Sequence, residues 1–169
     1  MVVLGIDPGT ARTGYGVVAL NDRGSLESRA HGVVSTSPSL SPEARLAEIY
    51  DALSALIREH RPDIVAIEEI FFKNNVTTGI GVAQARGVAM LAAAHAGISV
   101  VGYKPAEVKQ AVVGVGRATK DQMRYMTRVL LGLREKPKPD DAADGLAVAI
   151  CHLHRAPAVA RIAKVATLR

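Results

Sequence analysis

Four carboxylates stand where they could meet and act on a common substrate. Asp7 and Glu68 each end a run of apolar residues, so each acid follows a strand predicted to be buried on both faces. Asp141 and Asp144 are three residues apart in a predicted helix, which places them on one helical face. Ligands of open α/β sheets bind beyond the carboxyl ends of the strands. We therefore expect the acids to converge at that edge of the sheet.

The spacing leaves open which acid of the last helix joins the others. Asp140 lies four residues before Asp144 and can share its face, just as Asp141 can at three residues. An acid in the first turn of a helix is also favoured by the helix dipole alone, without any catalytic role. The residues by themselves do not choose between Asp140 and Asp141.

The acid set predicts a site for hard metal ions. Its members offer only oxygen ligands, and no set of histidines or cysteines accompanies them. Such donors suit Mg²⁺ or Mn²⁺ and disfavour zinc. Two such ions about 4 Å apart can activate water and stabilise the leaving oxygen in phosphodiester hydrolysis. The expected chemistry is therefore metal-dependent cleavage of a phosphodiester bond.

Positive charge is concentrated in one part of the chain. Residues 104–138 carry nine basic and three acidic side chains, a net charge of +6, whereas the whole chain of 169 residues has a net charge of +5. A basic block of this kind is expected where a protein contacts phosphate backbones, although a solvated helix face can have the same composition. Beside an acid cluster, it favours a nucleic-acid substrate.

The apolar pattern predicts a mixed five-stranded sheet flanked by helices. Three early strands joined by hairpin-like turns precede alternating strands and helices, which indicates an α/β fold. The predicted strands are 2–7, 14–20, a third ending near 35, 64–68 and 98–103, and the predicted helices are 42–60, 78–95, 105–113, 120–131 and 140–154. We expect one domain over residues 1–155 and a basic, flexible tail over 156–169.

The composition is that of a globular protein without a membrane segment. The chain is 49% hydrophobic and 22% charged, which allows a sizeable core. The longest stretch free of charged residues, Gly87–Tyr103, has 17 residues, fewer than the ~20 that a membrane span needs. No signal peptide is visible at Met1–Asp7, and the single Cys151 cannot form an internal disulfide. We expect a cytoplasmic protein.

The motifs resemble those of the RuvC family of Holliday-junction resolvases, bacterial endonucleases with an RNase H-like fold. The resemblance covers about residues 1–155, in order and with matching gaps. The segments that carry it are Gly5–Gly9, Ala66–Glu68, Gln84–Gly87, Lys109–Gln110, Val112–Gly114, Asp141–Asp144 and Ala147. It implies a homodimer that binds a four-way DNA junction in recombination and repair and makes paired, symmetric nicks. It also implies the RuvA–RuvB motor as a partner.

The resemblance assigns the catalytic, metal-binding role to Asp7, Glu68, Asp141 and Asp144, and so selects Asp141 over Asp140. For this acid set we hypothesise a mechanism with two Mg²⁺ or Mn²⁺ ions per active site. Asp7 would bridge the ions, Glu68 and Asp144 would hold one each or share, and Asp141 would complete the second site. Water would then attack the phosphodiester in line and leave 5′-phosphate and 3′-hydroxyl ends.

The resemblance also indicates residues that contact DNA. Lys109 and Lys120 match family lysines near the scissile phosphate, where an ammonium group can offset charge that develops in the transition state. Phe71 matches a residue that stacks on a base at the junction. Further basic side chains could contact phosphates without reading sequence, or in the case of Arg86 the partner subunit; these are Lys73, Arg86, Arg117, Arg124 and Arg128.

Other interpretations remain open from the residues alone. The turn Asp7–Thr10 also resembles the first turn of actin-type and sugar-kinase-type ATP-binding domains, but that class closes two domains on the nucleotide and 169 residues provide one. A nuclease of the same fold with another substrate is a second alternative, because fold does not settle substrate. A non-catalytic DNA-binding homologue is a third, which the complete acid set disfavours.

Overall fold

The computed structural model describes residues 1–69 and 76–166. Its core is one mixed sheet of five strands with helices on both faces. The strands are β1 (Val2–Asp7), β2 (Arg12–Leu20), β3 (Leu26–Ser35), β4 (Ile64–Glu68) and β5 (Ser99–Tyr103). The helices are α1 (Pro42–His60), α2 (Val76–His95), α3 (Pro105–Val113), α4 (Lys120–Leu130) and α5 (Asp140–Ala166).

The sheet combines a hairpin-linked half with a parallel half. Its strand order is β3-β2-β1-β4-β5. Strands β1, β2 and β3 are antiparallel neighbours, whereas β4 and β5 run parallel to β1. Ile6 of β1 pairs with Ile67 of β4. The next residues, Asp7 and Glu68, therefore end the two strands side by side. The predicted mixed five-stranded sheet is confirmed.

Apolar side chains fill both faces of the sheet. On one face, α3, α4 and α5 enclose a core around Leu146 and Ile150; on the other, α1 and α2 pack around Ile49 and Leu53. Helix α5 lies very close to β1 and β2 because glycines face it. A Cβ atom on Gly5 would collide with backbone atoms of α5, as would one on Gly14 or Gly16.

Three boundaries differ from the sequence-based prediction by two residues or more. Strand β2 begins at Arg12, because antiparallel pairing continues to Arg12 opposite Ser35. Helix α2 begins at Val76. Helix α5 extends to Ala166, so the predicted helix end at residue 154 is wrong. That prediction treated the residues after 155 as a basic tail, but the alanine-rich run there has a high helix propensity. The flexibility expected of residues 156–169 stays a prediction.

Within the described ranges, none of the helices is both long and apolar enough to cross a membrane.

Candidate active site

A pocket of about 230 Å³ opens at the carboxyl edge of β1 and β4. Three acids and two lysines supply its polar lining: Asp7, Glu68, Asp144, Lys109 and Lys120. Its apolar wall is formed by Pro105, Val108, Met123 and Ala147. Side chains from two strands and three helices therefore meet at the edge where the sequence predicted that the acids would converge.

The backbone fixes the positions of the acids before any metal binds. Asp7 and Glu68 end adjacent parallel strands, so the register of β1 and β4 sets their separation. Asp144 lies in the second turn of α5, and Gly14 lets that part of the helix approach β2 without a side chain between them. The acids thus project from rigid elements, which keeps the geometry of a site precise.

Burial and mutual repulsion make the acids poor carriers of negative charge. Burial raises the pKa of Asp7 to about 8, with further contributions from the charges of Glu68 and Asp144. Burial also raises the pKa of Glu68, although its hydrogen bond with Asp7 and the nearby lysines oppose that rise. Burial likewise raises the pKa of Asp144, against the attraction of Lys120. Without a cation, the three buried carboxyl groups therefore resist ionising together.

The lysines lie at the rim of the pocket. Lys120 begins α4, where Thr119 caps the helix by accepting a hydrogen bond from the Gln122 backbone N–H. Its Nζ lies 3.8 Å from Oδ2 of Asp144, yet 77% of its side chain is exposed. Lys109 lies on α3 and is partly buried. Ammonium groups in these positions can contact a backbone phosphate while they remain close to the acids.

Asp140 and Asp141 take different partners, and neither lines the pocket. Arg124 Nη1 lies 3.0 Å from Oδ1 of Asp140, whereas the guanidinium of Arg12 pairs with Asp141. After burial and the two nearer acids, the charge of Asp141 contributes to the raised pKa of Asp7. Asp141 is therefore electrostatically part of the pocket, although its carboxylate is turned toward Arg12.

The donor set fits a hard divalent cation. The pocket acids offer only carboxylate oxygens, and a bound cation would offset the burial and the neighbouring acids that raise the pKa of Asp7. Within the described part of the chain, no three His, Cys, Asp or Glu side chains are already grouped closely enough to hold an ion. Two of the acids already have a cationic partner in the protein, because Arg12 pairs with Asp141 and Lys120 lies near Asp144.

The whole domain matches one family of nucleases. A family model described as crossover junction endodeoxyribonuclease RuvC matches residues 3–152. The chain belongs to the RuvC family. This membership confirms the resemblance seen in the sequence and favours a nuclease over an ATP-binding domain. RuvC nucleases depend on a metal ion in general, in agreement with the oxygen-rich pocket.

Individual RuvC proteins match over nearly their full length. The chain is 56% identical over 154 residues to a crossover junction endodeoxyribonuclease RuvC from Heliobacterium modesticaldum, covering 91% of this chain and 94% of the relative. It superimposes on a Thermus thermophilus RuvC structure with a TM-score of 0.87 at 38% identity, covering 94% of this chain and 97% of that one. On a structure of T. thermophilus RuvC in complex with a Holliday junction substrate, the TM-score is 0.85 at 36% identity, covering 94% of this chain and 96% of that one. The RNase H-like fold is confirmed.

The DNA contacts expected from the RuvC resemblance lie in different environments. Arg117 is exposed between α3 and α4, and the side chain of Arg124 is 24% exposed beside Asp140. Arg86 Nη1 lies 3.3 Å from the sulfur of Met90 on the same helix. Arg128 of α4 lies over the ring of Tyr125 at 5.4 Å. Phe71 and Lys73 lie outside the described residues.

Sequence reasoning about this RuvC domain did not find Arg12 or the apolar wall of the pocket. Arg12 is distant in sequence from Asp141, but the alternation of side chains along β2 indicates which face of the strand Arg12 occupies. Arg12, Gly14 and Gly16 occupy every second position of β2 and so share one face. The two glycines on that face make room for α5. Met123 and Ala147 carried no signal, because apolar residues in helices usually belong to the core.

Proposed function

We propose that this chain is an endonuclease that resolves four-way DNA junctions by hydrolysing phosphodiester bonds. The observation that carries the proposal is the pocket itself, which Asp7, Glu68 and Asp144 line together with Lys109 and Lys120. Membership of the RuvC family supports the reaction class. The T. thermophilus relative bound to a Holliday junction supports the substrate.

The acids would hold Mg²⁺ or Mn²⁺, with two ions in each active site. When bound, the ions supply positive charge that activates the attacking water and stabilises the leaving oxygen. Asp7 would be a ligand shared by both ions, because it ends the central strand β1 and the charges of Glu68, Asp144 and Asp141 all act on it. Glu68, Asp144 and Asp141 would complete the ligand set.

The remaining pocket residues bind and orient the DNA strand. Lys109 and Lys120 would contact oxygens of the scissile phosphate and offset the negative charge that grows as the bond breaks. The apolar wall, which includes Val108 and Met123, excludes water from one side of the pocket. Electrostatic contacts are stronger where water is excluded, so the wall increases the effect of both lysines.

A homodimer would place two such pockets on one junction and so produce paired, symmetric nicks. Support comes from one face of α2, where Ile80, Ala83, Gly87 and Leu91 are exposed at helical spacing. Ile80 is 53% and Leu91 47% exposed. A Cβ atom on Gly87 would have nothing within 4 Å. Small and apolar side chains in one stripe would let a second copy of this helix approach closely.

The wider assignments complete the proposal. Phe71 would stack on an unpaired base, and phosphate contacts would come from Lys73, Arg86, Arg117 and Arg124. A protein that cuts four-way junctions would act in recombination and repair, in the cytoplasm where bacterial DNA lies, and would work with the RuvA–RuvB branch-migration complex. The net charge of +6 over residues 104–138 supports the DNA contacts.

The test is cleavage of a synthetic four-way junction beside a linear duplex of the same sequence. Each substrate is incubated with Mg²⁺, with Mn²⁺ or with a chelator, and the cut sites are mapped on all strands. We expect metal-dependent nicks at symmetric positions on two strands of like polarity in the junction alone. Equal cutting of both substrates would replace the proposal with a general nuclease, and binding without cutting in either metal would contradict an enzymatic role.

A further inference from the structure

Among the four acids proposed to bind metal, Asp141 stands apart because a cation already contacts it. The guanidinium of Arg12 pairs with Oδ2 of Asp141 and so joins the first residue of β2 to the first turn of α5. The Arg12 side chain is 53% exposed and that of Asp141 27%. Within residues 1–69 and 76–166, the three acids that line the pocket have no cation closer than the 3.8 Å between Lys120 and Asp144.

The fold places Arg12 over Asp141. Side chains alternate across a strand, so Arg12 lies on the same face of β2 as Gly14 and Gly16. That face packs on α5: a Cβ atom on Gly14 would collide with the backbone of Asp141, and one on Gly16 with the backbone of Leu146. Arg12 is the next residue in this row, beyond the close contact, and its long side chain reaches the carboxylate. The pair thus follows from the strand register.

We propose that Arg12 is a positioning residue that holds Asp141 outside the pocket until a divalent cation displaces the guanidinium. This inference rests on the proposed metal-binding role of the four acids. A cation that takes Asp141 as a ligand must compete with Arg12 for the same carboxylate oxygens. Arg12 therefore lowers the affinity of the position that takes Asp141 as a ligand, and it raises the metal concentration at which the site is complete.

The size of the effect follows from the exposure of the pair. Exposed ion pairs change an equilibrium constant by about 1.5- to 5-fold. Loss of Arg12 should therefore tighten cation binding by about two- to fivefold. Loss of any positive charge near the acids also favours a cation at long range, so a variant with the same charge change is needed for comparison.

Arg124 provides that matched control. It forms the neighbouring ion pair, with Asp140, and its Nη1 lies 3.0 Å from Oδ1 of that acid. Asp140 precedes Asp141 in α5 but is not among the proposed ligands. Arg124→Ala therefore removes one positive charge near the same helix turn without releasing a ligand. The difference between Arg12→Ala and Arg124→Ala isolates the competition for Asp141.

The experiment titrates Mn²⁺ into the full-length protein without DNA, by calorimetry and by electron paramagnetic resonance of the free ion. The variants are Arg12→Ala, Arg12→Lys, Arg124→Ala, Asp141→Asn and the double variant Arg12→Ala with Asp141→Asn. We expect Arg12→Ala to tighten binding by about two- to fivefold, Arg12→Lys to stay near wild type, and Arg124→Ala to change it less than twofold. In the Asp141→Asn background, loss of Arg12 should have no effect beyond that of Arg124→Ala.

Three results would overturn the inference: equal effects of Arg12→Ala and Arg124→Ala, weaker Mn²⁺ binding in Arg12→Ala, or an undiminished Arg12 effect in the Asp141→Asn background.

The Mg²⁺ concentration for half-maximal junction cleavage gives a second readout, and Arg12→Ala should lower it. Wild-type protein in the same assay separates the two hypotheses. If it cuts the junction but Arg12→Ala leaves the midpoint unchanged, only the role of Arg12 fails; if it does not cut, the proposed function fails.

Discussion

Helix α5 places polar side chains in two different environments, one around Asp144 and the other around Arg155. Near its start, Asp144 joins Asp7 and Glu68, three acids whose pKa values are raised by burial and, at Asp7, also by mutual repulsion. Near Arg155, polar side chains have matched partners. The first region disfavours ionisation of its acids, and the second stabilises the fold.

The matched region ties α5 to β5 and α3. His152 Nδ1 lies 2.8 Å from the Tyr103 hydroxyl, and Arg155 Nη1 lies 2.6 Å from Oε1 of Glu107. His154 Nδ1 lies 3.0 Å from the backbone carbonyl oxygen of Ala111. These contacts anchor α3, which carries Lys109 to the pocket. The comparison shows that α5 stabilises the domain around Arg155. Around Asp144, where a cation would bind, the buried acids destabilise the metal-free domain when they ionise.

The two regions also differ in their response to pH. Because the pKa of Asp7 is raised, its protonated carboxyl group contributes to the stability of the fold at low pH, and this contribution is lost as pH rises toward 8. Burial lowers the pKa of His152, so its contribution is present above the ordinary histidine range and is lost as pH falls. The metal-free protein should therefore lose stability at high pH, where Asp7 ionises, and at low pH, where His152 takes up a proton.

The largest expected effect is the loss of cleavage in Asp7→Asn. The amide keeps the shape of the side chain but removes the charge that would hold cations, so cleavage should fall by at least about 10³-fold. Junction binding, measured by gel shift, should stay within about threefold of wild type, because phosphate contacts come from other residues. Equal loss of binding and cutting would contradict a catalytic role for Asp7.

The same variant should stabilise the metal-free protein at high pH. Because each unit of pKa shift corresponds to about 1.4 kcal/mol, and part of the shift belongs to the pair with Glu68, we expect a gain of about 2 kcal/mol near pH 9. Near pH 4, where Asp7 is protonated in the folded state, the gain should vanish. Urea unfolding at both pH values with a chelator present measures it. A destabilised Asp7→Asn at pH 9 would show that the acid cluster is not a source of strain.

Lys120→Ala should separate catalysis from stability. Its ammonium lies near Asp144, but its side chain is largely exposed, so the thermal midpoint should not change. Junction cleavage should fall by about 10²-fold, the scale for loss of one group that stabilises transition-state charge. The exposed Lys138, in the same basic block, is the matched control. Equal losses in Lys120→Ala and Lys138→Ala would remove Lys120 from the site.

A smaller effect is expected in the matched region. Arg155→Ala breaks the ion pair with Glu107 and should destabilise the protein by about 0.5 to 1 kcal/mol, because both side chains are partly exposed. The pair of Lys136 with the exposed Asp121 offers a control in Lys136→Ala, which should cost less. Urea unfolding at pH 7 measures both. A cost at Arg155 no larger than at Lys136 would contradict an anchoring role.

Much of the framework could be predicted from the sequence because its signals are local. The apolar runs before Asp7 and Glu68 predicted two buried strands, and the bounds of α3 agree with the prediction from Pro105 to Val113. Strand ends in a parallel pair meet at one edge, so the convergence of these acids followed from chain direction alone.

The parts that escaped prediction depend on long-range contacts. The pairing of Arg12 with Asp141 requires β2 and α5 to pack at a separation that only the glycines of β2 permit. No local pattern shows that Asp141 turns away from the pocket that Asp144 enters. The apolar wall residue Met123 is likewise indistinguishable in sequence from other core positions. The extension of α5 to Ala166 was missed because the basic composition near the C-terminus was taken to indicate a flexible tail.

The most direct test of the acid pocket is the effect of Mn²⁺ on stability at pH 8 without DNA. A ligand that binds only the folded state stabilises it by an amount that grows with concentration. We predict that Mn²⁺ raises the thermal midpoint of the wild-type protein, with a midpoint shift that grows across the titration, and leaves that of Asp7→Asn almost unchanged. Equal shifts in both proteins, or no shift in the wild type, would contradict the conclusion that the crowded carboxylates form a cation site.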